Sequence, residues 1–496
     1  MTTPAPATTD RRALPDGLVA VVKRDCPTCV LVAPVLDELT TRGCSLTVYS
    51  QDDPAFPEGL PNVMDDTSLE VSWHHDIETV PTLLRVEHGD EVDRIVGWSR
   101  DQWEGFTEQA GLGTELPAQR PGCGSLSVDP SLTDELLARF RGSTLRGRRV
   151  ELAALEDEME AAFDRGWSDG LPVVPPTESR VLRMLEGTSR APDEVVAAVP
   201  PDLAEVTVEQ VAVNAVLAGC KPEYLPVVLA AVEAGCTDEF NLHGLLATTY
   251  FSGPIVIVNG PIAERIGMNS GNNVLGQGNR ANLTIGRALQ LVVRNLGGGR
   301  PGEQNGRPGV DMALMGSPGK LGFCFAERET DSPFEPLAAE HGLPPGTDAV
   351  TLFAGQGPTA IADQLSRTPE SLARSMAAVL RASCHPKLVI SFDAMLIVGP
   401  EHGRLFREAG WDKARLRAEL DELLTLQTDE LIRGAGGIEE GLPEGLAGQT
   451  LPKFRPGGLQ IVHAGGDAGL FSAVLGGWVG GPKGSIPVTR EITGQP

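Results

Sequence analysis

Asp25-Cys26-Pro27-Thr28-Cys29-Val30-Leu31-Val32-Ala33-Pro34-Val35-Leu36-Asp37-Glu38-Leu39 decides how the amino-terminal part of this chain folds. Just before it, Gly17-Leu18-Val19-Ala20-Val21-Val22 is a short apolar run with the character of a buried strand. After it, residues 27 to 42 read as a helix, and Pro27 suits a first helical position because its missing N–H would have no partner there. Two cysteines separated by two residues therefore stand where a strand gives way to a helix. Unpaired backbone N–H groups and the helix dipole favour negative charge at that place, and the thiolate is the reactive form of a cysteine. Cys26 sits there. Cys29, one turn further in, is close enough to attack a mixed disulfide on Cys26 and release the product.

Further along, Ser45 to Tyr49 alternates like a second strand, and Ser68 to His74 suggests a short helix. Thr79-Val80-Pro81-Thr82-Leu83-Leu84 leads into another strand. Strands near 82–86 and 92–96 flank His88-Gly89-Asp90, a hairpin-turn composition, and Arg100 to Ala110 closes the segment as a helix. In this order of elements, residues 17–110 resemble thioredoxins, on the dithiol, Ala33-Pro34-Val35-Leu36-Asp37-Glu38-Leu39, Val80-Pro81-Thr82 and the hairpin. The resemblance implies a thioredoxin fold over 17–112, with Cys26 as attacking thiol, Cys29 as resolving thiol and Pro81 as a cis-proline. A cis peptide there lets the preceding backbone face the sulfur and pair with an extended substrate. The pair Pro27-Thr28 is more like glutaredoxins, and Ala20 stands where thioredoxins place a buried aspartate. A zinc site would need a second spaced pair of ligands, and His74-His75 are adjacent, so no metal is expected.

The chain has 496 residues and a formal charge of −26. Its length predicts more than one domain. Its acidity disfavours broad contact with nucleic acid or an anionic membrane, both of which need a basic face. Residues 1–16 read as a disordered tail without the apolar core of a secretory signal. Nor is there an apolar run of the ~18 residues that a membrane span requires. Apart from the pair, the cysteines are scattered (Cys44, Cys123, Cys220, Cys236, Cys324, Cys384), which fits a reducing cytoplasm and one working dithiol. No cofactor beyond that redox-active dithiol is expected.

Residues 113–150 read as a linker of turns, with Cys123 on it as a relay thiol or a spectator. Residues 151–496 read as a larger α/β domain, opening on a helix from Glu151 to Gly166. Apolar strands there stop at glycine, usually with proline: Ile255 to Pro261, Val350 to Pro358, Met395 to Pro400 and Leu459 to Gly466. This is a loose internal repetition, with a seam near 330–348 that would give two lobes. Around Trp167-Ser168-Asp169-Gly170-Leu171-Pro172-Val173-Val174-Pro175-Pro176-Thr177 the region resembles an uncharacterised bacterial family, a resemblance that carries no activity.

Within it, Asn269 to Asn282 is a glycine–asparagine loop opening a helix. Asn273, Asn279 and Arg280 could cradle a small anion on backbone N–H groups, and Lys320 could neutralise it. A structural crossover is the plainer alternative. Cys324, Glu327 and His243 are candidates for chemistry: a thiol between two phenylalanines, a carboxylate ending that strand, and a lone histidine before the strand at Ile255. Gly476 to Ser485 reads as a lid carrying Lys483, or as a docking segment between subunits of a homo-oligomer.

The expected function is that of a thiol–disulfide-linked oxidoreductase. The dithiol module would supply electrons or handle sulfur for a small anionic or polar substrate, with an external thiol reductant or reductase renewing it. Fusion holds the dithiol near the larger domain at an effective concentration of roughly millimolar. The alternative is a non-redox lyase or hydrolase acting on a small polar acid, the dithiol module then serving only to dock or stabilise.

Overall fold

The computed structural model describes residues 13–140, 145–150, 152, 156–304, 307–390, 392–479 and 484–496. Most of the expected tail, the start of the helix expected from Glu151, and Lys483 lie outside the described residues. The chain divides into two compact units, 1–144 and 145–496, and both mix helices with sheet in the general α/β class.

The first unit runs β1 (Gly17–Val22), α1 (Pro27–Thr41), β2 (Leu46–Ser50), β3 (Val63–Asp65), α2 (Glu70–His74), β4 (Thr79–Val80), β5 (Thr82–Glu87), β6 (Asp90–Val96), β7 (Trp98–Ser99), α3 (Arg100–Thr107), β8 (Gln119–Arg120), β9 (Cys123–Gly124) and α4 (Thr133–Phe140). The main sheet has the order β3-β2-β1-β5-β6, with β1 parallel to β2 and antiparallel to β5. Its central strand β1 buries Val19 to Val22 on both faces, and α1 lays Val32, Val35, Leu36 and Leu39 into the same core. At the tip of the β5–β6 hairpin both His88 (φ 56°) and Gly89 (φ 84°) are left-handed, the backbone that matches the twist of a tight hairpin. Residues 14 and 16 are not tail: Leu14 N donates to the Gly89 carbonyl, and Gly89 N donates to the Asp16 carboxylate.

Residues 113–140, read from sequence as part of a linker, are folded into this unit. Trp98 Nε1 donates to the Pro117 carbonyl at 2.7 Å and stacks edge-on against Trp103, while Arg100 N donates to Ala118 O. The two-residue strands β8 and β9 carry no periodicity, so turn residues were all the sequence displayed.

In the second unit one sheet carries the strands Phe323–Ala326, Gly253–Asn259, Ala349–Ala362, Phe471–Gly477, Ala394–Val398 and Leu459–His463, in that order, with Val488–Glu491 added beside Ala349–Ala362. Alternate residues (Ile255, Ile257, Phe323, Phe325, Phe353, Met395, Ile397, Val462, Leu475) form a single inner cluster drawn from every one of the six. The opposite residues pack under two separate helical layers. Val256, Val258, Cys324 and Leu352 meet the helices Val208–Ala218, Leu225–Gly235 and Arg280–Asn295, and Leu396, Val398, Ile461 and Val474 meet Pro369–Ala382, Pro400–Glu408 and Lys413–Leu423. Past the strand ends the two sheet edges join, Arg328 N donating to His463 O at 2.8 Å. The sheet thus curls around its inner cluster like a small barrel.

The strand order is palindromic. An edge strand is parallel to its neighbour, which is antiparallel to a central strand, and the sequence then reverses. The seam expected near 330–348 falls between strands of the same sheet and divides no unit. Two glycine signals also resolve differently from their reading as stops and loops. Gly355 to Pro358 is a register shift inside the long strand Ala349–Ala362, and Gly476 and Gly477 belong to the strand Phe471–Gly477. A Cβ at Gly477 would lie 2.7 Å from Asp393 O and 2.9 Å from the Phe353 ring, so only glycine lets the strands close there. Among the described residues no helix is long and apolar enough to cross a membrane.

Candidate dithiol site

Cys26 is the N-cap of α1, with extended backbone (φ −138°, ψ 111°), and its Sγ accepts from Cys29 N at 3.3 Å. The approach to it is fixed by Asp52, whose carboxylate accepts from Arg24 N (2.6 Å) and Asp25 N (2.8 Å). Facing it is the Val80–Pro81 peptide, which is cis, and when protonated Cys26 Sγ donates to Val80 O at 3.5 Å. Both cysteine side chains are fully buried.

The two sulfurs titrate in opposite directions. Burial opposes a charge on Cys26, but hydrogen bonds from the Cys123 thiol, the Cys29 thiol and the Cys29 and Thr28 N–H groups outweigh it and hold its pKa below the ordinary thiol value. Cys29 is pushed far up, by burial first, despite a bond from the Lys23 backbone. The surroundings thus favour charge on one sulfur and oppose it on the other.

A strap crosses this pair. Residues β8 pair with β7 (Trp98↔Arg120), and β9 pairs antiparallel with β4 (Thr79↔Gly124, Val80↔Cys123). Thr28 Oγ1, from between the two cysteines, donates to Pro121 O at 2.7 Å. Beyond β9, Ser125 N donates to Glu78 O, Ser127 Oγ to Ile77 O, and Gln51 Nε2 to Ser125 Oγ. Gly122 permits the close approach: a Cβ there would sit 2.4 Å from Thr79 Cγ2 and 2.8 Å from Val80 O. The chain's own backbone therefore lies where an extended substrate was expected to pair. Sequence reasoning singled out Cys123 but not the strap, which has no signal beyond its turn residues.

The sites expected in the second unit are mostly committed elsewhere. Asn279 caps the helix Arg280–Asn295, accepting from Asn282 N and donating to Gly267 O. Asn273 is left-handed and donates to Gln277 O, and Arg280 Nε donates to Gly219 O. The glycine–asparagine loop thus spends these groups on its own turns. Lys320 Nζ is paired with Asp311 (2.9 Å) and donates to Leu245 O, both charges being largely buried, so its ammonium is already neutralised. Cys324 is buried under the helix Arg280–Asn295 with its pKa pushed up by burial, the inert condition. His243 is exposed on the short helix Leu242–Ala247. Glu327 is fully buried and its pKa is raised by that burial; it accepts from Asn259 Nδ2 (2.7 Å), Leu337 N (2.8 Å) and His463 N (3.4 Å). Its position between the sheet edges makes it a group that ties the barrel together.

Sequence spacing gave little weight to Cys384, yet its surroundings are the most polar of any thiol in this unit. Its backbone is left-handed (φ 64°), a conformation that costs energy in a cysteine. Its Sγ accepts from Gln356 Nε2 at 3.3 Å and donates to Gly477 O at 3.7 Å, with the Tyr250 hydroxyl also bonded to it. Lys453 is close enough to feel its charge, and burial lowers that ammonium's pKa to about 8. Burial still leaves the Cys384 pKa raised.

A cavity of about 610 Å³ opens in the same unit, walled by Trp167, Val181, Val213 and Leu217 with Asn214 and Asn295 beside them. Asn295 Nδ2 donates to Trp167 O and Asn214 Oδ1, while its own Oδ1 is buried without a partner. Among the described residues no three His, Cys, Asp or Glu side chains are grouped to hold a metal ion. No protein-family model matches this chain, and no curated protein matches it.

Proposed function

We propose that the first unit is a thioredoxin-like thiol–disulfide exchange module and that the chain is a thiol-dependent redox enzyme. Within the dithiol Cys26 is the attacking sulfur, Cys29 resolves the mixed disulfide that forms on Cys26, and an external dithiol or reductase returns the Cys26–Cys29 bridge to two thiols. The observation that carries this assignment is the geometry of the pair: Cys26 caps the helix α1, Cys29 N donates to its sulfur at 3.3 Å, and the Val80 carbonyl lies 3.5 Å from that sulfur. Support for the fold comes from β1 between a parallel and an antiparallel neighbour, with the cis Val80–Pro81 peptide across from Cys26.

The dithiol would serve chemistry on a small polar molecule at the second unit, in a reducing cytoplasm. The unmet acceptor of Asn295 in the 610 Å³ cavity supports a polar ligand.

The test is oxidation of the reduced full chain by a small disulfide, followed by bridge mapping. A Cys26–Cys29 bridge is expected. A bridge elsewhere would remove the proposal.

A further inference from the structure

The strap places a third sulfur at the dithiol. Cys123 stands directly across the β4–β9 pair from Val80, the residue whose carbonyl accepts from Cys26. Cys123 and Cys26 thus meet the same residue, and the Cys123 thiol is among the groups that lower the Cys26 pKa. The register is pinned on both sides, by Thr28 to Pro121 and by Ser125 to Glu78. Cys26 and Cys29 are sealed from solvent, whereas Cys123 is partly exposed. A disulfide arriving from solvent meets Cys123 first.

Building on the exchange chemistry assigned above, we propose that Cys123 is the third redox cysteine of this centre: it forms a transient disulfide with Cys26 and so passes electrons from the Cys26/Cys29 dithiol to an external disulfide. The steps balance. Cys123 sulfur attacks RSSR′, forming Cys123–S–SR and expelling R′S⁻, and the Cys123 proton passes by way of Cys26 to R′S⁻. Cys26 thiolate attacks the Cys123 sulfur, forming the Cys26–Cys123 bond and expelling RS⁻, which takes a proton from water. Cys29 then attacks the Cys26 sulfur, forming Cys26–Cys29, and its proton goes to the departing Cys123. The dithiol loses two electrons, RSSR′ gains them, and Cys123 ends as it began.

The experiment blocks the last step. The full chain carrying Cys29→Ser, and a second variant Cys29→Ala that adds no buried hydroxyl, is reduced and treated with oxidised glutathione, and its peptides are mapped without reduction. The expected product is a Cys26–Cys123 bridge with no glutathione retained on either cysteine. Adding Cys123→Ala should instead leave glutathione on Cys26. If the Cys29 variants already stop at a glutathione adduct on Cys26 with Cys123 free, the role of Cys123 is overturned and the exchange assignment stands. If Cys26 stays unmodified in every variant, both fall.

Discussion

Replacing Cys26 by serine is expected to bring reduction of a small disulfide by the full chain down to the uncatalysed background, a loss on the order of 10³-fold or more, as for removal of a catalytic nucleophile. The reason is chemical. A hydroxyl has no thiolate form near neutral pH, and the helix N-terminus, the Cys29 N–H and the Cys123 thiol would then be aimed at a neutral oxygen. Cys29→Ser should permit the first attack but no turnover. Cys236→Ser provides the contrast, since burial pushes that thiol's pKa up to about 12 and nothing couples it to the dithiol. Turnover is followed by thiol release from the disulfide. A Cys26→Ser protein as fast as the unaltered chain would mean that this sulfur is not the nucleophile.

Phe353→Ala is expected to cost the second unit about 3–5 kcal/mol, the range for emptying an aromatic site in a core. Phe353 is 1% exposed inside the curled sheet, among side chains from all six strands. Its ring fills the space left open by Gly355 and Gly477, where an added Cβ would lie within 2.9 Å of it. No neighbouring side chain can swing in from a strand already paired on both sides. Denaturant unfolding should show the transition of the second unit moving to lower concentration, with that of the first unit unmoved. Leu365→Ala, at a side chain 85% exposed, should change stability by less than about 0.5 kcal/mol. Equal midpoints for Phe353→Ala and Leu365→Ala would contradict an inner cluster closed by six strands.

The placement of Cys26 and Cys29 at a helix start was legible because its signals are local. Cys26, Pro27 and Cys29 carry strand end, helix start and reactive group within five residues, and Val80-Pro81 marks the facing strand. The strap was not legible, because β8 and β9 are two residues long and their partners lie in β7 and β4. Nothing within 113–140 reveals that pairing; Gly122 reads as a turn residue, while its use is to let one backbone pass against another. In the larger unit the apolar strands could be read, but not their order, since parallel neighbours such as Gly253–Asn259 and Phe323–Ala326 are joined through long intervening chain. Arg280 and Lys320 looked like free cations for a related reason: the Gly219 carbonyl and the Asp311 carboxylate that engage them are invisible until the chain folds. Cys384 was underrated because Gln356, Tyr250 and Lys453 reach it from distant segments.

The most direct test of the account is an equilibrium redox titration of the full chain in glutathione buffers, with each cysteine's state read by differential alkylation and mass spectrometry. The account predicts that Cys26 and Cys29 change together in one two-electron transition, with a midpoint between about −270 and −120 mV, the span of known exchange dithiols. Cys26 and Cys29 remaining as separate thiols across that whole range would contradict it.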